Sequence, residues 1–132
     1  DQYNSILLPS DIDKSIEKRL LELYPKQLQS DILVAAHHGS NTSSSSGFIQ
    51  TVAADYVIFS QGFMNRWRFP RQKVLDRFQQ INDKKGTQSQ LFTTSDSGQV
   101  TFIMQYDSPK PIIVKTFRQD TYPYWYANFI HR

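Results

Sequence analysis

Residues 31–46 read DILVAAHHGSNTSSSS, and this stretch decides the predicted fold. Its first part, residues 31–36, is a short apolar run that is typical of a buried strand. His37 and His38 follow where that strand ends, and Gly39 allows the backbone to turn sharply there. Open α/β sheets bind ligands at the carboxyl ends of their strands, so the two imidazoles are candidate functional groups. The alternative is that one imidazole is a structural hydrogen-bond partner and the other faces solvent.

Strands and helices alternate around this stretch. Residues 5–8 and 55–60 are short apolar runs that predict two further strands. Apolar residues spaced three or four apart predict a helix over residues 12–24, which ends at Pro25, and residues 47–54 predict a shorter helix. The first helix is expected to bury the side chains of Ile12, Ile16, Leu20 and Leu23, while Lys14, Glu17, Lys18 and Glu22 point away.

The second half of the chain has a different character. A loop over residues 61–70 leads into a helix predicted over residues 71–81, and the polar residues 82–89 form a turn. The predicted strands of this half are 90–94, 99–106 and 112–117, of which the first two form a hairpin around the SDSG turn. The pattern predicts an α/β fold with a mixed sheet and helices.

Composition limits the classes of protein and of site. The 132 residues contain 15 lysines and arginines against 12 acidic residues, a net charge of +3, and no cysteine. One small domain over residues 1–132 is expected, and thiolate metal sites, disulfides and thiol nucleophiles are excluded. No apolar run is long enough to span a bilayer. Because the sequence begins at Asp1 without a methionine, we expect either a processed chain or a piece of a larger protein.

Asp11, in the stretch LLPSDID of residues 7–13, follows the first predicted strand as the histidines follow the second. It could simply cap the helix that begins there, since aspartate is a preferred cap. Alternatively, Asp11 and His37 face a common metal ion at the sheet edge. A carboxylate with an imidazole suits Zn²⁺ or Mn²⁺.

The segment from Gln61 to Leu75 contains no acidic residue and mixes basic with aromatic side chains. Guanidinium groups neutralise phosphates, and exposed aromatic rings stack on unpaired bases. The composition predicts contact with DNA, unless Trp67 and Phe69 are core residues and the arginines are merely solvated. The DNA-binding candidates are Arg66, Trp67, Arg68, Arg71 and Lys73.

Two further segments carry weaker signals. Ser40 and Thr42, after the glycine turn, are candidate phosphate ligands, although such residues more often cap helices or solvate loops. The aromatic tail over residues 121–132 either packs onto its own sheet or lies at a membrane interface.

Four strings together resemble one known family. Their order and spacing resemble those of the C-terminal metallo-β-lactamase-like domain of the ComEC DNA-uptake proteins. The strings are LLPSDID, AHHGSNTSSS, NRWRFPRQKVLDRF and TTSDSGQVTF. The resemblance implies the C-terminal half of an αββα sandwich, with Asp11 and the histidine pair as metal ligands. His37 is favoured as the ligand and as a catalytic residue with Asp11, with His38 as the alternative or as a supporting residue. The resemblance further implies DNA and a transmembrane channel as partners, the periplasmic side of a bacterial inner membrane, and metal-dependent phosphodiester cleavage in transformation.

The chain also departs from that family. The metal signature His-x-His-x-Asp-His is missing, Ser10 replaces a glycine, and Phe69-Pro70-Arg71 replaces a histidine-containing loop. We therefore expect half of a metal site: Zn²⁺ or Mn²⁺ in the intact domain, no tightly bound ion in this fragment, and no activity of the fragment alone. The alternative is that the intact parent has itself lost hydrolytic activity. Two other functions remain open: a non-catalytic single-stranded DNA-binding or scaffolding module beside the channel, and a soluble metallohydrolase of small phosphoesters.

Overall fold

Four parallel strands form the larger sheet of the protein in the computed structural model, which describes residues 4–85, 88–105 and 111–121. Their order across the sheet is their order along the chain. The strands are β1 (Ile6–Leu7), β2 (Ile32–Val34), β3 (Tyr56–Phe59) and β4 (Gln90–Thr93). A second sheet pairs β5 (Val100–Ile103) antiparallel with β6 (Ile113–Thr116). The predicted α/β class is confirmed, with the parallel and antiparallel strands in separate sheets.

Each crossover between parallel strands contains one α-helix. The helices are α1 (Lys14–Leu23), α2 (Ser46–Val52) and α3 (Gln72–Lys85), and α2 packs against both of the others. Leu33 and Val57, which are neighbours in the sheet register, form the core with Phe48 of α2 and Phe78 of α3. The three helices therefore cover one face of the parallel sheet. None of the helices within the described ranges is long and apolar enough to cross a membrane.

The other face of the parallel sheet is also apolar but is covered unevenly. Phe102 of β5 packs edge-on against Tyr56 and Phe92, with ring centroids 5.7 and 6.2 Å away. At the β1 side the same face is open, since Ile6 is 45% exposed and the following Leu8 is 66% exposed. Apolar side chains on both faces are typical of parallel strands that are buried on both sides.

Two predictions about the second half of the chain are wrong. Residues 90–94 do not form a hairpin with residues 99–106, because β4 pairs in parallel with β3 and β5 pairs with β6. The SDSG turn is part of a single helical turn, α4 (Thr94–Ser97), which leads the chain out of the larger sheet. Helix α3 also continues past residue 81, into the segment predicted as a turn.

The chain after β6 continues into one short helix, α5 (Phe117–Asp120). The predicted aromatic tail begins at Thr121, and its remaining residues lie outside the described residues. The strands predicted at 5–8, 31–36, 55–60 and 112–117 and the helix predicted at 12–24 are confirmed with shorter bounds, and the helix predicted at 47–54 is confirmed with a start one residue earlier, at Ser46. The apolar stripe predicted for the first helix is only partly covered, because Ile16 and Leu23 are exposed.

Candidate functional site

The carboxyl ends of β1, β2 and β3 open into one cleft of about 710 Å³. Asp11 follows β1, His37 and His38 follow β2, and Ser60 follows β3 directly. Parallel strands deliver these residues to one edge because all their carboxyl ends lie on the same side. The cleft is lined by Asp11, His37, His38, Ser60, Gln61, Gly62, Asn65, Trp67 and Phe69.

The histidine pair lies in a tight turn with unusual backbone geometry. His37, His38 and Gly39 have φ angles of 49°, 56° and 83°, in the left-handed region. Ser10 also has a positive φ of 56°, and its carbonyl accepts a 3.0 Å hydrogen bond from the His37 amide. Left-handed backbone costs energy for residues other than glycine and is concentrated at functional sites. The two strand ends are therefore tied together in a conformation that the surrounding structure has to enforce.

His38 is the imidazole that meets Asp11. Its Nε2 lies 3.6 Å from Asp11 Oδ1, and both side chains are at least half exposed. Its Nδ1 lies 2.7 Å from the carbonyl oxygen of Ser60. Because a carbonyl only accepts, Nδ1 carries the proton and donates it, which leaves Nε2 directed at the carboxylate. A backbone carbonyl fixing the ring of a histidine in this way is typical of metal ligands.

His37 has different partners. Its Nδ1 lies 3.4 Å from Thr42 Oγ1, and its ring lies edge-on to Phe69 with centroids 6.2 Å apart. His37 also lines the cleft, but the contact with the Asp11 carboxylate is made by His38. The family resemblance favoured His37, with His38 as the alternative, since the sequence does not give the direction of the turn.

The alternative in which Asp11 caps α1 is wrong. The cap is Asp13, whose Oδ1 accepts from the amides of Ser15 and Ile16 at 2.9 and 3.2 Å. The hydrogen bond from the Ser15 hydroxyl is the main cause that holds the pKa of Asp13 below its usual value, with further help from the Ile16 amide. Asp11 is thus left without the capping role and projects into the cleft.

The spacing of Asp11 and His38 fits a shared metal ion. Two ligands about 2.1 Å from one tetrahedral ion lie roughly 3.4 Å apart, close to the observed 3.6 Å. Within the described ranges no group of three or more histidine, cysteine or acidic side chains is placed to hold an ion. His131 lies outside those ranges. The described residues thus bring together two potential metal ligands, Asp11 and His38.

The basic and aromatic loop forms one wall of the same cleft. Trp67 and Phe69 line it, and Trp67 is 54% exposed, so the alternative that Trp67 is a core residue is wrong. The guanidinium of Arg66 lies 4.4 Å from the centre of the Trp67 ring, and that of Arg71 lies 5.7 Å from the Phe69 ring. Exposed basic side chains of this segment are Arg66, Arg68, Arg71 and Lys73.

The hydroxyls of Ser40 and Thr42, the candidate phosphate ligands, form a 2.9 Å hydrogen bond with each other beside His37.

The loop over residues 43–45 is held by two residues that the sequence patterns do not mark. Glu17, placed by the helical pattern among the outward-pointing residues, is fully buried and accepts hydrogen bonds from the amides of Ser44 and Ser45. Arg77 donates to the backbone carbonyls of the same loop, and burial lowers the pKa of its guanidinium. No local pattern marks either residue, because their partners in this loop are distant along the chain.

Curated proteins that are similar to this chain include two named for competence. Competence protein ComA of Neisseria gonorrhoeae is 38% identical over 73 residues, which are 55% of this chain and 11% of that protein. ComE operon protein 3 of Bacillus subtilis (strain 168) is 36% identical over 75 residues, which are 57% of this chain and 10% of that protein. Uncharacterized protein YcaI of Escherichia coli (strain K12) is 35% identical over 126 residues, which are 96% of this chain and 16% of that protein.

These similarities support the ComEC and competence family that the sequence motifs indicate. The chain spans between 10% and 16% of the length of these relatives. No family model matches the chain, and no solved structure matches it.

Proposed function

We propose that the chain is part of the DNA-uptake machinery of natural transformation, and that it supplies part of a metal-dependent phosphodiesterase centre. The similarity to proteins named for competence supports the first part. The observation that carries the second part is the convergence of Asp11 Oδ1 and His38 Nε2 at 3.6 Å, with His38 oriented by Ser60.

Asp11 and His38 would hold Zn²⁺ or Mn²⁺, both of which accept one carboxylate and one imidazole among their ligands. When bound, such an ion polarises a phosphoryl oxygen and lowers the pKa of a bound water. The role of this chain's own residues is to present the two donors. The Ser60 carbonyl keeps the His38 proton on Nδ1, and the open cleft leaves room for a phosphodiester beside the two donors.

The remaining ligands belong, in this proposal, to a segment outside this chain. The sheet face that exposes Ile6 and Leu8 fits the middle of an αββα sandwich, in which a second sheet covers it. We further propose that the intact domain has the metallo-β-lactamase-like fold. It lies, in this proposal, beside a transmembrane channel on the periplasmic side of the inner membrane. DNA is the proposed substrate.

Metal binding by the chain tests the proposed centre. We expect weak Mn²⁺ binding, measured in every variant by the relaxation of water protons and, where His38 is present, by selective broadening of its ring signals in NMR spectra. Asp11→Asn and His38→Gln should each weaken it by more than about tenfold, since each removes one of two ligands. His37→Gln tests the other imidazole, and Asp55→Asn, an exposed carboxylate that follows α2, is the matched control. Equal Mn²⁺ affinity in all four variants would contradict the proposal.

We expect no DNA cleavage by the chain alone with added Zn²⁺ or Mn²⁺, because two donors are too few for a hydrolytic centre. The measurement is turnover of a labelled oligonucleotide. Strong metal-dependent cleavage that is lost in Asp11→Ala would show that the site is complete without further ligands.

A second candidate function, DNA binding without catalysis, is favoured by the exposed guanidinium groups of the loop whose Trp67 and Phe69 line the cleft. Arg66→Ala with Arg68→Ala should weaken binding of a single-stranded oligonucleotide. The slope of log affinity against log salt should become shallower by about 0.7 for each phosphate that the variant no longer neutralises. The matched control is Arg19→Ala, an exposed arginine on α1. An unchanged slope would remove these arginines from the interface.

A further inference from the structure

The backbone of Ser44 lies between two opposite charges that come from different helices. Its amide donates to Glu17 Oε1 of α1 at 2.5 Å, and its carbonyl oxygen accepts from Arg77 Nη1 of α3. Glu17 Oε2 accepts from the next amide, that of Ser45, at 2.8 Å. Arg77 also reaches the Ser43 carbonyl at 2.8 Å and the Asn41 side chain at 2.9 Å. Both charged groups thus direct their hydrogen bonds to one short loop.

Burying this pair of charges costs desolvation free energy. Glu17 is fully buried, and taking a carboxylate out of water is unfavourable unless its oxygens are well satisfied. Burial also lowers the pKa of Arg77, and the attraction of Glu17 opposes that effect. Ser44 has a φ of 54°, a strained value for serine that persists only where the surroundings enforce it. The two charges enforce it from the amide side and the carbonyl side.

The loop held in this way supports the histidine turn directly. The Ser43 hydroxyl donates to the Ala36 carbonyl at 2.7 Å, immediately before His37. Thr42 Oγ1 lies 3.4 Å from His37 Nδ1, and the Thr42 carbonyl accepts from the Lys14 amide at 2.9 Å. Lys14 begins α1, the helix that follows Asp11. The loop therefore connects the chain segment that carries Asp11 with the segment that carries the imidazoles.

We propose that Glu17 and Arg77 are positioning residues that clamp the Ser44 backbone, and that the loop so held fixes the histidine turn at Ala36 and His37 and thereby keeps His38 within reach of the Ser60 carbonyl and Asp11. The inference rests on the proposed function only in taking that orientation to serve metal binding. Glu17 acts through amides and Arg77 through carbonyls, so neither residue has to touch the ion or the substrate.

Two variants remove the clamp with little change in shape. In Glu17→Gln, one side-chain oxygen becomes an NH₂ group, which cannot accept from the amide it faces. In Arg77→Lys, the charge stays but the forked set of donors is lost. Glu22→Gln and Arg19→Lys alter exposed residues of α1 and are the matched controls.

The readouts are the imidazole ¹⁵N shifts of His38, its Mn²⁺ affinity, and urea unfolding to establish that each variant is folded. We expect both clamp variants to lose the fixed Nδ1–H tautomer of His38 and to bind Mn²⁺ at least about fivefold more weakly. The controls should match the wild-type chain. A folded Glu17→Gln or Arg77→Lys protein with wild-type His38 shifts would overturn the inference.

The two proposals can fail separately. If the wild-type chain binds no Mn²⁺, the proposed metal centre fails, while the tautomer of His38 in the variants still decides the positioning role. If both variants fail to fold, the pair serves the stability of the whole chain, and the positioning role is refuted.

Discussion

Gly39 is the single residue on which the geometry of the histidine turn depends most. With a φ of 83° it adopts a backbone conformation that side chains disfavour. A Cβ atom there would lie 2.6 Å from Pro70 Cβ and 2.8 Å from Phe59 Cδ1, which is too close for either neighbour. Its carbonyl also accepts a 2.9 Å hydrogen bond from the Arg71 amide. The turn and the basic loop are thus in contact through a residue without a side chain.

We expect Gly39→Ala to lower the free energy of unfolding by about 2–4 kcal/mol, through the strained φ and the two overlaps. Urea unfolding is the measurement. Gly62→Ala is the matched control, because nothing lies within 4 Å of a Cβ at that position, and it should change stability by less than about 0.5 kcal/mol. A Gly39→Ala protein as stable as the control would show that the turn can relax.

At the residue scale, the sequence predicted the sharp turn at Gly39 and the meeting of a carboxylate with an imidazole. It could not distinguish His38 from His37, because both follow the same strand and only the path of the turn decides which imidazole meets Asp11. It also assigned Glu17 to the solvent side, since the helical period describes one helix and contains no information on the loop that packs over it.

At the scale of elements, the start of α1 depends on the ionised form of Asp13. Its carboxylate accepts from two amides and a hydroxyl, and its pKa is lowered, with the Ser15 hydroxyl as the main cause. A lowered pKa in the folded state means that the stabilisation is present above the unfolded pKa and is lost as pH falls through the folded pKa.

The stability of the wild-type chain should therefore fall more steeply below about pH 4 than that of Asp13→Asn, whose amide has no charge to lose. Thermal unfolding between about pH 2 and 7 measures both curves. Asp55→Asn, which removes an exposed carboxylate outside the helix, should follow the wild-type curve. Parallel curves for wild type and Asp13→Asn would contradict this account of the cap.

Elements that depend on local pattern were predicted well, and pairing between distant elements was not. The spacing of apolar residues was enough for α1, and short apolar runs were enough for the first three strands. For β4, the apolar run and the nearby SDSG turn favour a hairpin locally, yet Leu91 pairs with Val57 in the parallel sheet. Burying β4 at the edge of an existing core outweighs the local turn preference, and only the tertiary structure contains that information.

For the whole molecule, two features that sequence analysis treated separately belong to one surface. The cleft brings the Asp11–His38 pair together with Trp67 and Phe69 of the basic loop. The net charge of +3 is small, so the attraction for an anionic partner depends on where the arginines lie rather than on the total charge. The chain spans at most 16% of the length of the three relatives named above, and the proposed metal centre takes its further ligands from outside it.

The parallel order of the four strands also governs how the site is assembled during folding. Ile6 pairs with Ile32, Ile32 with Tyr56, and Tyr56 with Gln90, so every pairing closes a loop that includes a whole helix. Closing such loops costs chain entropy before the strand pairing contributes to stability. Parallel sheets therefore form cooperatively and slowly. Asp11 and His38 become neighbours only when β1 and β2 have paired. The site and the sheet therefore form and unfold together. A change that destabilises any part of the sheet also separates Asp11 from His38.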